Sequence, residues 1–361
     1  MEILAEMPIR NKRLRCVQTE NDANRRRDIQ KGQRAGSECI RANNQGHQLS
    51  SQIKEREMIR PGHLVTMIGH VSLTLLLMFQ IIWAAPFNTL QFDYDVTSKI
   101  IFPMTAGSFK TNQLNCLRSF ENITNYSYVD EICDGSGQND TCGGYLALAP
   151  KEQLILVAFK GTVTKSQLTD EEWGAYQVPW SYGQGLVDSY FSNAFEVSFN
   201  QELFKKLFQD YPHFKVIIGG YSLGGAIAIL AASWMVETKL VPPIQLQVTT
   251  FGQPRVGNSV FAERFDVTVS NAYRVINRHD IVPSVPITIG PFIDYKHTNE
   301  EVWFPLGVLD KNSEQICRAT TKNCYKSVSS HDLTPDDHLF YFSFPLKVED
   351  FGSNNCPDNI G

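Results

Sequence analysis

With 361 residues, 42% apolar and 20% charged, the chain has a globular composition and is too apolar to remain disordered throughout. Residues 1–60 hold 13 Lys/Arg against 8 Asp/Glu, residues 61–85 hold none of the four, and residues 86–361 hold 20 against 30. A main body with that acidic excess repels a phosphate backbone, which excludes nucleic acid as its partner.

In chain order, residues 1–57 are polar and rich in Arg, Gln and Asn. They carry no sustained apolar period and are expected to form a disordered extension. The 22-residue apolar run Leu64–Ala85 follows Lys54, Arg56 and Arg60 and closes on small residues. That is the layout of a secretory signal peptide, assigned here to residues 58–85. It is also long enough to span a bilayer, so a type II membrane anchor is the competing reading. In both readings the basic flank stays cytoplasmic and the chain beyond Pro86 is delivered outside, as a secreted or a tethered protein. Signal peptides begin at the first methionine, so the upstream extension points to translation from Met58 or Met67.

Six of the eight cysteines (Cys116, Cys133, Cys142, Cys317, Cys324, Cys356) follow the apolar run. In an exported domain they can form three disulfides, with 15 possible connectivities. Sequons at Asn122, Asn125 and Asn139 suit a glycosylated surface loop.

From about Tyr145 onward, strand-like and helix-like segments alternate. Leu154–Phe159 (LILVAF) is a short continuous apolar run, as a strand buried on both faces requires. Phe195, Phe199, Leu203 and Leu207 recur every four residues, which predicts one amphipathic helix ending at Tyr211-Pro212. Val216–Gly219 predicts a second strand, followed by a glycine-rich turn and the small-residue helix AIAILAASWMVE. Leu246–Phe251 and Tyr273–Ile276 are further strands. This alternation implies a largely parallel sheet covered by helices on both faces.

The turn between the second strand and its helix reads G-x-S-x-G at Gly220, Ser222 and Gly224. A nucleophilic serine at a sharp strand-to-helix turn needs small neighbours, because strand end and helix start nearly touch. The same turn aims backbone N–H groups at the reacting oxygen. GYSLGG followed by an alanine-rich helix resembles the nucleophile elbow of the class 3 (fungal-type) lipases. Four further segments resemble that family in the same order: Phe159-Lys160-Gly161-Thr162, Phe251 to Asn258 (FGQPRVGN), Asn277 to Pro283 (NRHDIVP) and Asp337 to Phe342 (DHLFYF). Together they span roughly residues 145–345. The fold implied for residues 86–361 is the α/β-hydrolase fold, a mostly parallel central sheet flanked by helices.

The order Ser222, Asp280, His338 is the Ser…Asp…His order of that superfamily. The resemblance implies Ser222 as nucleophile, His338 as base and Asp280 as its orienting acid. His331 is the rival base, but His338 alone carries the Leu-Phe-Tyr-Phe continuation. His279 reads as a structural loop residue, and Asp266 and Asp294 lack the Val-Pro context of Asp280. The oxyanion donors implied are Leu223 N–H, directly after the nucleophile, and Thr162 through its N–H and hydroxyl. Tyr221 stands where the family usually has His, and Lys160 where it usually has Arg; the second change removes the bidentate bonding of a guanidinium.

By the same resemblance the disulfides pair Cys116 with Cys356, Cys133 with Cys142 and Cys317 with Cys324. Residues 170–180 occupy the family's lid region, where Trp173, Tyr176 and Trp180 are either lipid-facing or core aromatics. The implied activity is hydrolysis of lipid esters, foremost triacylglycerols, at a lipid–water interface. It requires no metal, organic cofactor or protein partner. Phospholipase or short-chain and aromatic esterase activity uses the same triad, and a catalytically silent lipid-binding relative is the non-enzymatic alternative.

Overall fold

The computed structural model describes residues 91–111, 114–133, 141–161, 176–289, 293–317 and 324–358. The expected extension and export segment, Asn139, Thr162 and Trp173 lie outside the described residues. Among those described, no helix is long and apolar enough to cross a membrane.

Among the described residues, ten strands form two sheets: β1 (Thr124–Ile132), β2 (Thr141–Ala149), β3 (Leu154–Phe159), β4 (Gln177–Pro179), β5 (Leu186–Asp188), β6 (Lys215–Tyr221), β7 (Leu246–Phe251), β8 (Ala272–Asn277), β9 (Glu300–Phe304) and β10 (Gln315–Cys317). The main sheet has eight strands in the order β1-β2-β3-β6-β7-β8-β9-β10. Pairing is parallel from β3 through β9. Both ends are antiparallel, β1 and β2 at one edge and β10 at the other. A small antiparallel pair, β4-β5, stands apart. This is the α/β-hydrolase architecture expected of the sequence.

Among the described residues, four helices have ten or more residues: α1 (Ser189–Ser198), α2 (Gln201–Asp210), α3 (Leu223–Glu237) and α4 (Ser259–Thr268). The apolar run of β3 is explained by its two faces. Ile155, Val157 and Phe159 join the core built with these helices. Leu154, Leu156 and Ala158 join a second core with Phe102, Met104, Tyr341 and Phe351 from the two ends of the domain. A strand that alternates between two dry layers has no polar positions to show. Helix α3 is buried along nearly its whole length, so its alanines and isoleucines carry no amphipathic period.

The single helix predicted through Phe195, Phe199, Leu203 and Leu207 is two helices. Phe199 is extended, at φ −116° and ψ 113°. The Asn200 side chain then accepts from Leu203 N at 3.0 Å and starts α2 afresh. Asparagine is among the best N-caps, and here its local bond defeats a continuous apolar period. All three disulfides implied by the resemblance are formed: Cys116–Cys356, Cys133–Cys142 and Cys317–Cys324. The first joins positions 240 residues apart and ties the N-terminal segment to the last helical turn.

Trp180 is a core residue. It is 4% exposed, donates to Ser233 Oγ at 3.0 Å and packs on Phe195 and Phe261. Tyr176, by contrast, is 73% exposed.

Asp188 caps α1, accepting from Tyr190 N and from Tyr295 Oη at 2.9 and 2.8 Å. Burial pushes its carboxyl up to about 6 from the ordinary 3.8, against those hydrogen bonds. Between about pH 4 and 6 the folded state therefore binds more protons than the unfolded one, and stability falls as pH rises through that window. Asp188→Asn keeps the cap acceptor and removes the ionisation. Urea unfolding of both proteins at pH 4 and pH 7 should show the variant gaining up to about 3 kcal/mol on the wild type over that interval. An unchanged difference between them would contradict the assignment.

Candidate functional site

Ser222 occupies the junction of β6 and α3 with φ 54° and ψ −126°. A left-handed backbone in a non-glycine residue costs about 1–3 kcal/mol and persists only where the surroundings enforce it. The enforcement is steric. A Cβ on Gly220 would lie 2.1 Å from Gly224 O, and one on Gly224 would lie 2.2 Å from Phe159 O. The two glycines of G-x-S-x-G are thus where strand end, helix start and the neighbouring β3 meet backbone to backbone. Ser222 N donates to Phe251 O at 2.9 Å and fixes the turn to β7.

From the ends of β6, of β8 and of the C-terminal segment, three side chains converge. Ser222 Oγ is 2.8 Å from His338 Nε2, and His338 Nδ1 is 2.8 Å from Asp280 Oδ2. A carboxylate accepts, so Nδ1 carries the proton and Nε2 turns its lone pair to the serine hydroxyl. Asp280 is fully buried, His338 7% exposed and Ser222 1% exposed. Buried carboxylates need donors, and Asp280 has three: His338, Tyr341 Oη at 2.6 Å on Oδ2, and Val282 N at 2.9 Å on Oδ1. Burial, then the charge of Asp280, pushes the Tyr341 phenol well above its usual range, so it stays a donor. The rivals stand elsewhere. His331 is exposed, Asp266 accepts from Asn299 N, and Asp294 accepts from Ser259. His279 contributes its backbone N–H to Asp337.

Several supporting residues were present in the quoted motifs without a role attached. Asn277 Nδ2 donates to the carbonyls of Asp337 and Phe340 at 2.9 and 2.8 Å, binding β8 to both flanks of His338. Arg255 grips the carbonyls of Ser284 and Pro286, and His297 Nε2 lies 2.6 Å from Pro283 O. These bonds hold the loop that follows Asp280. Burial, then Arg274 and Arg255, holds His297 well below its ordinary value, so it is neutral and donates from Nε2. The Tyr325 hydroxyl donates to the Asp280 carbonyl, next to the Cys317–Cys324 bridge. Nothing in a one-dimensional pattern points to His297 or Tyr325, because their partners are main-chain carbonyls, which every residue carries.

Gly252 has φ 60°, and a Cβ there would lie 2.7 Å from both Asp280 Oδ2 and His338 Cε1. This explains the glycine of FGQPRVGN. Lys160 is buried with its ammonium 2.6 Å from Asp130 Oδ1 and 2.8 Å from Thr141 Oγ1. A lysine point charge thus ties the end of β3 to β1 and β2 where a guanidinium fork is usual. Leu223 opens α3, and the first N–H groups of a helix have no partner within it; Thr162 is outside the described residues. One group of metal-type donors converges among the described residues, Glu301 with Cys317 and Cys324. The two sulfurs are bonded to each other and so offer no thiolate.

Residues 156–289 match the family model described as Lipase (class 3). A lipase of Caenorhabditis elegans is 30% identical over 299 residues, which cover 74% of this chain and 83% of that protein. A secreted mono- and diacylglycerol lipase of Fusarium solani is 30% identical over 178 residues, covering 49% of this chain and 51% of the relative. Among solved structures, lipase II from Rhizopus niveus superposes with a TM-score of 0.59 at 25% identity, over 70% of this chain and 95% of its own. A lipase from Rhizopus microsporus var. chinensis gives 0.57 at 26%, over 71% and 86%.

Gly252→Ala should displace His338 and Asp280 together. Reaction of Ser222 with a fluorophosphonate is expected to slow about 10²-fold, the usual consequence of misplacing a reacting group by about an ångström. A wild-type labelling rate in the folded variant would show that the close approach is not needed.

Proposed function

This chain belongs to the class 3 lipase family, and from that premise we propose that it cleaves lipid esters through an acyl-enzyme intermediate on Ser222. It is a carboxylic ester hydrolase of the triacylglycerol-lipase type. The observation that carries the proposal is the unbroken line Ser222 Oγ, His338, Asp280, with both links at 2.8 Å.

As His338 Nε2 takes the hydroxyl proton, Ser222 Oγ attacks the ester carbonyl and an oxyanion develops on the former carbonyl oxygen. Leu223 N–H receives that charge, with Thr162 as the second donor. The imidazolium is stabilised by Asp280, whose carboxylate also accepts from Tyr341 Oη and Val282 N. Collapse of the tetrahedral intermediate breaks the ester C–O bond, and the proton on Nε2 leaves with the alcohol. Water then repeats the sequence: Nε2 takes its proton, the hydroxyl attacks the acyl carbon, and the carboxylic acid departs as Ser222 recovers its hydrogen.

The substrates are acylglycerols, presented at a lipid–water interface. Burial of Ser222 to 1% exposure supports this, because an ester reaches the serine only after the site opens, and an apolar surface favours such opening. The domain acts outside the cell. Three disulfides support that location, since such bonds persist in oxidising compartments.

Hydrolysis of p-nitrophenyl esters of graded acyl length should favour long chains, with activity rising where the substrate exceeds its solubility. Ser222→Ala is expected to lower kcat about 10⁴- to 10⁶-fold. Retained turnover in that variant would refute the serine mechanism, and a preference confined to short or aromatic acids would replace the lipase reading with an esterase one.

A further inference from the structure

His338 sits on the four-residue helical turn Asp336–Leu339, an element too short to hold a side chain rigidly by itself. Its main-chain surroundings are nevertheless tied down by side chains from the sheet. Asn277 takes the carbonyls of Asp337 and Phe340. The carbonyl of His338 itself accepts from the hydroxyl of Tyr221 at 2.8 Å. Tyr221 is the last residue of β6 and the neighbour of Ser222 in the chain. Its ring lies against the His338 imidazole with centroids 4.9 Å apart and planes 18° from parallel. The phenol is itself held edge-to-face by Tyr341 at 5.9 Å and is only 5% exposed. On the side of β3, a Cβ on Gly161 would meet Tyr221 Cδ1 at 2.7 Å. One side chain therefore touches the histidine ring, the histidine main chain, the tyrosine that binds Asp280, and the glycine preceding Thr162.

We propose that Tyr221 is a positioning residue for His338: its ring fixes the plane of the imidazole and its hydroxyl fixes the backbone beneath it, keeping Nε2 on Ser222. The role rests on the reading of His338 as the base. It follows from the geometry of two distinct contacts. Turning the imidazole about its Cβ–Cγ bond breaks the stack, and sliding the turn that carries it breaks the hydrogen bond. The stack has a second use. When His338 takes the serine proton it becomes a cation, and the face of a phenol ring attracts cations. Tyrosine at this position also reaches farther than the histidine usual there, which accounts for the main-chain contact.

The test uses the full chain with Tyr221→Phe, which keeps the ring and loses the hydroxyl, and Tyr221→Leu, which loses both. Competent sites are counted by fluorophosphonate titration, so that poorly folded molecules drop out of the comparison. Per titrated site, kcat on a long-chain p-nitrophenyl ester is expected to fall about 3-fold in the Phe variant and about 30-fold in the Leu variant. KM should stay within twofold of wild type, and the rate of phosphonylation should fall in the same order. A per-site kcat equal to wild type in either variant overturns the proposal, as does a loss expressed in KM instead of kcat. A wild-type protein inert to both ester and fluorophosphonate would refute the serine reading of the site, and this role with it.

Discussion

Ser222 stands at φ 54° because β6 and α3 approach each other, and β3 beside them, to backbone contact. The strain is held by parts of the molecule that have no chemical role. The parallel register of β3, β6 and β7 brings the strand ends level. Helix α3, buried from Leu223 to Met235, cannot slide without exposing apolar surface, at about 25 cal/mol for each Å². Once that turn is set, Ser222 stands directly before the first turn of α3, whose leading N–H groups have no partner within the helix. The side chains of His338 and Asp280 meet the serine there.

That delivery depends on main-chain carbonyls being held by side chains. Asp280 follows β8, and the loop after it is pinned through Pro283, Ser284 and Pro286 by His297 and Arg255. His338 comes from a segment with little regular structure, and its neighbours are pinned by Asn277 from β8. Each link of this kind satisfies a polar atom at least partly withdrawn from water while fixing a distance, and a fully buried group left unsatisfied costs about 1–3 kcal/mol. Stability and alignment are therefore served by the same bonds. The network is polar inside a dry setting, where its electrostatic interactions are stronger than they would be in water.

Much of this was legible in the amino-acid sequence. The runs LILVAF and LQVTTF announce strands because both of their faces are dry, and the ordered motifs contain Ser222, Asp280 and His338, which the fold brings together. The strands β1 and β2 are not evident in the sequence: Thr124–Ile132 is a largely exposed edge, and Thr141–Ala149 carries two glycines, Gly143 and Gly144, in its first half. The break between α1 and α2 was hidden because the apolar period runs straight through it, while Asn200 acts through a single side-chain bond. Trp180 could be lid or core from its type alone, and only its neighbours decide for core. Partners such as Tyr325 and His297 act on carbonyl oxygens, which every residue possesses, so no residue pattern records them.

The central claim is that the strained serine is the atom that takes up the acyl group. Rapid mixing of the protein with a long-chain p-nitrophenyl ester, acid quenching within the first turnover, and mass spectrometry of the digested chain tests it most directly. The account predicts up to one equivalent of acyl group, carried on the peptide that contains Ser222. Turnover with no acyl adduct, or an adduct on a different residue, would contradict it.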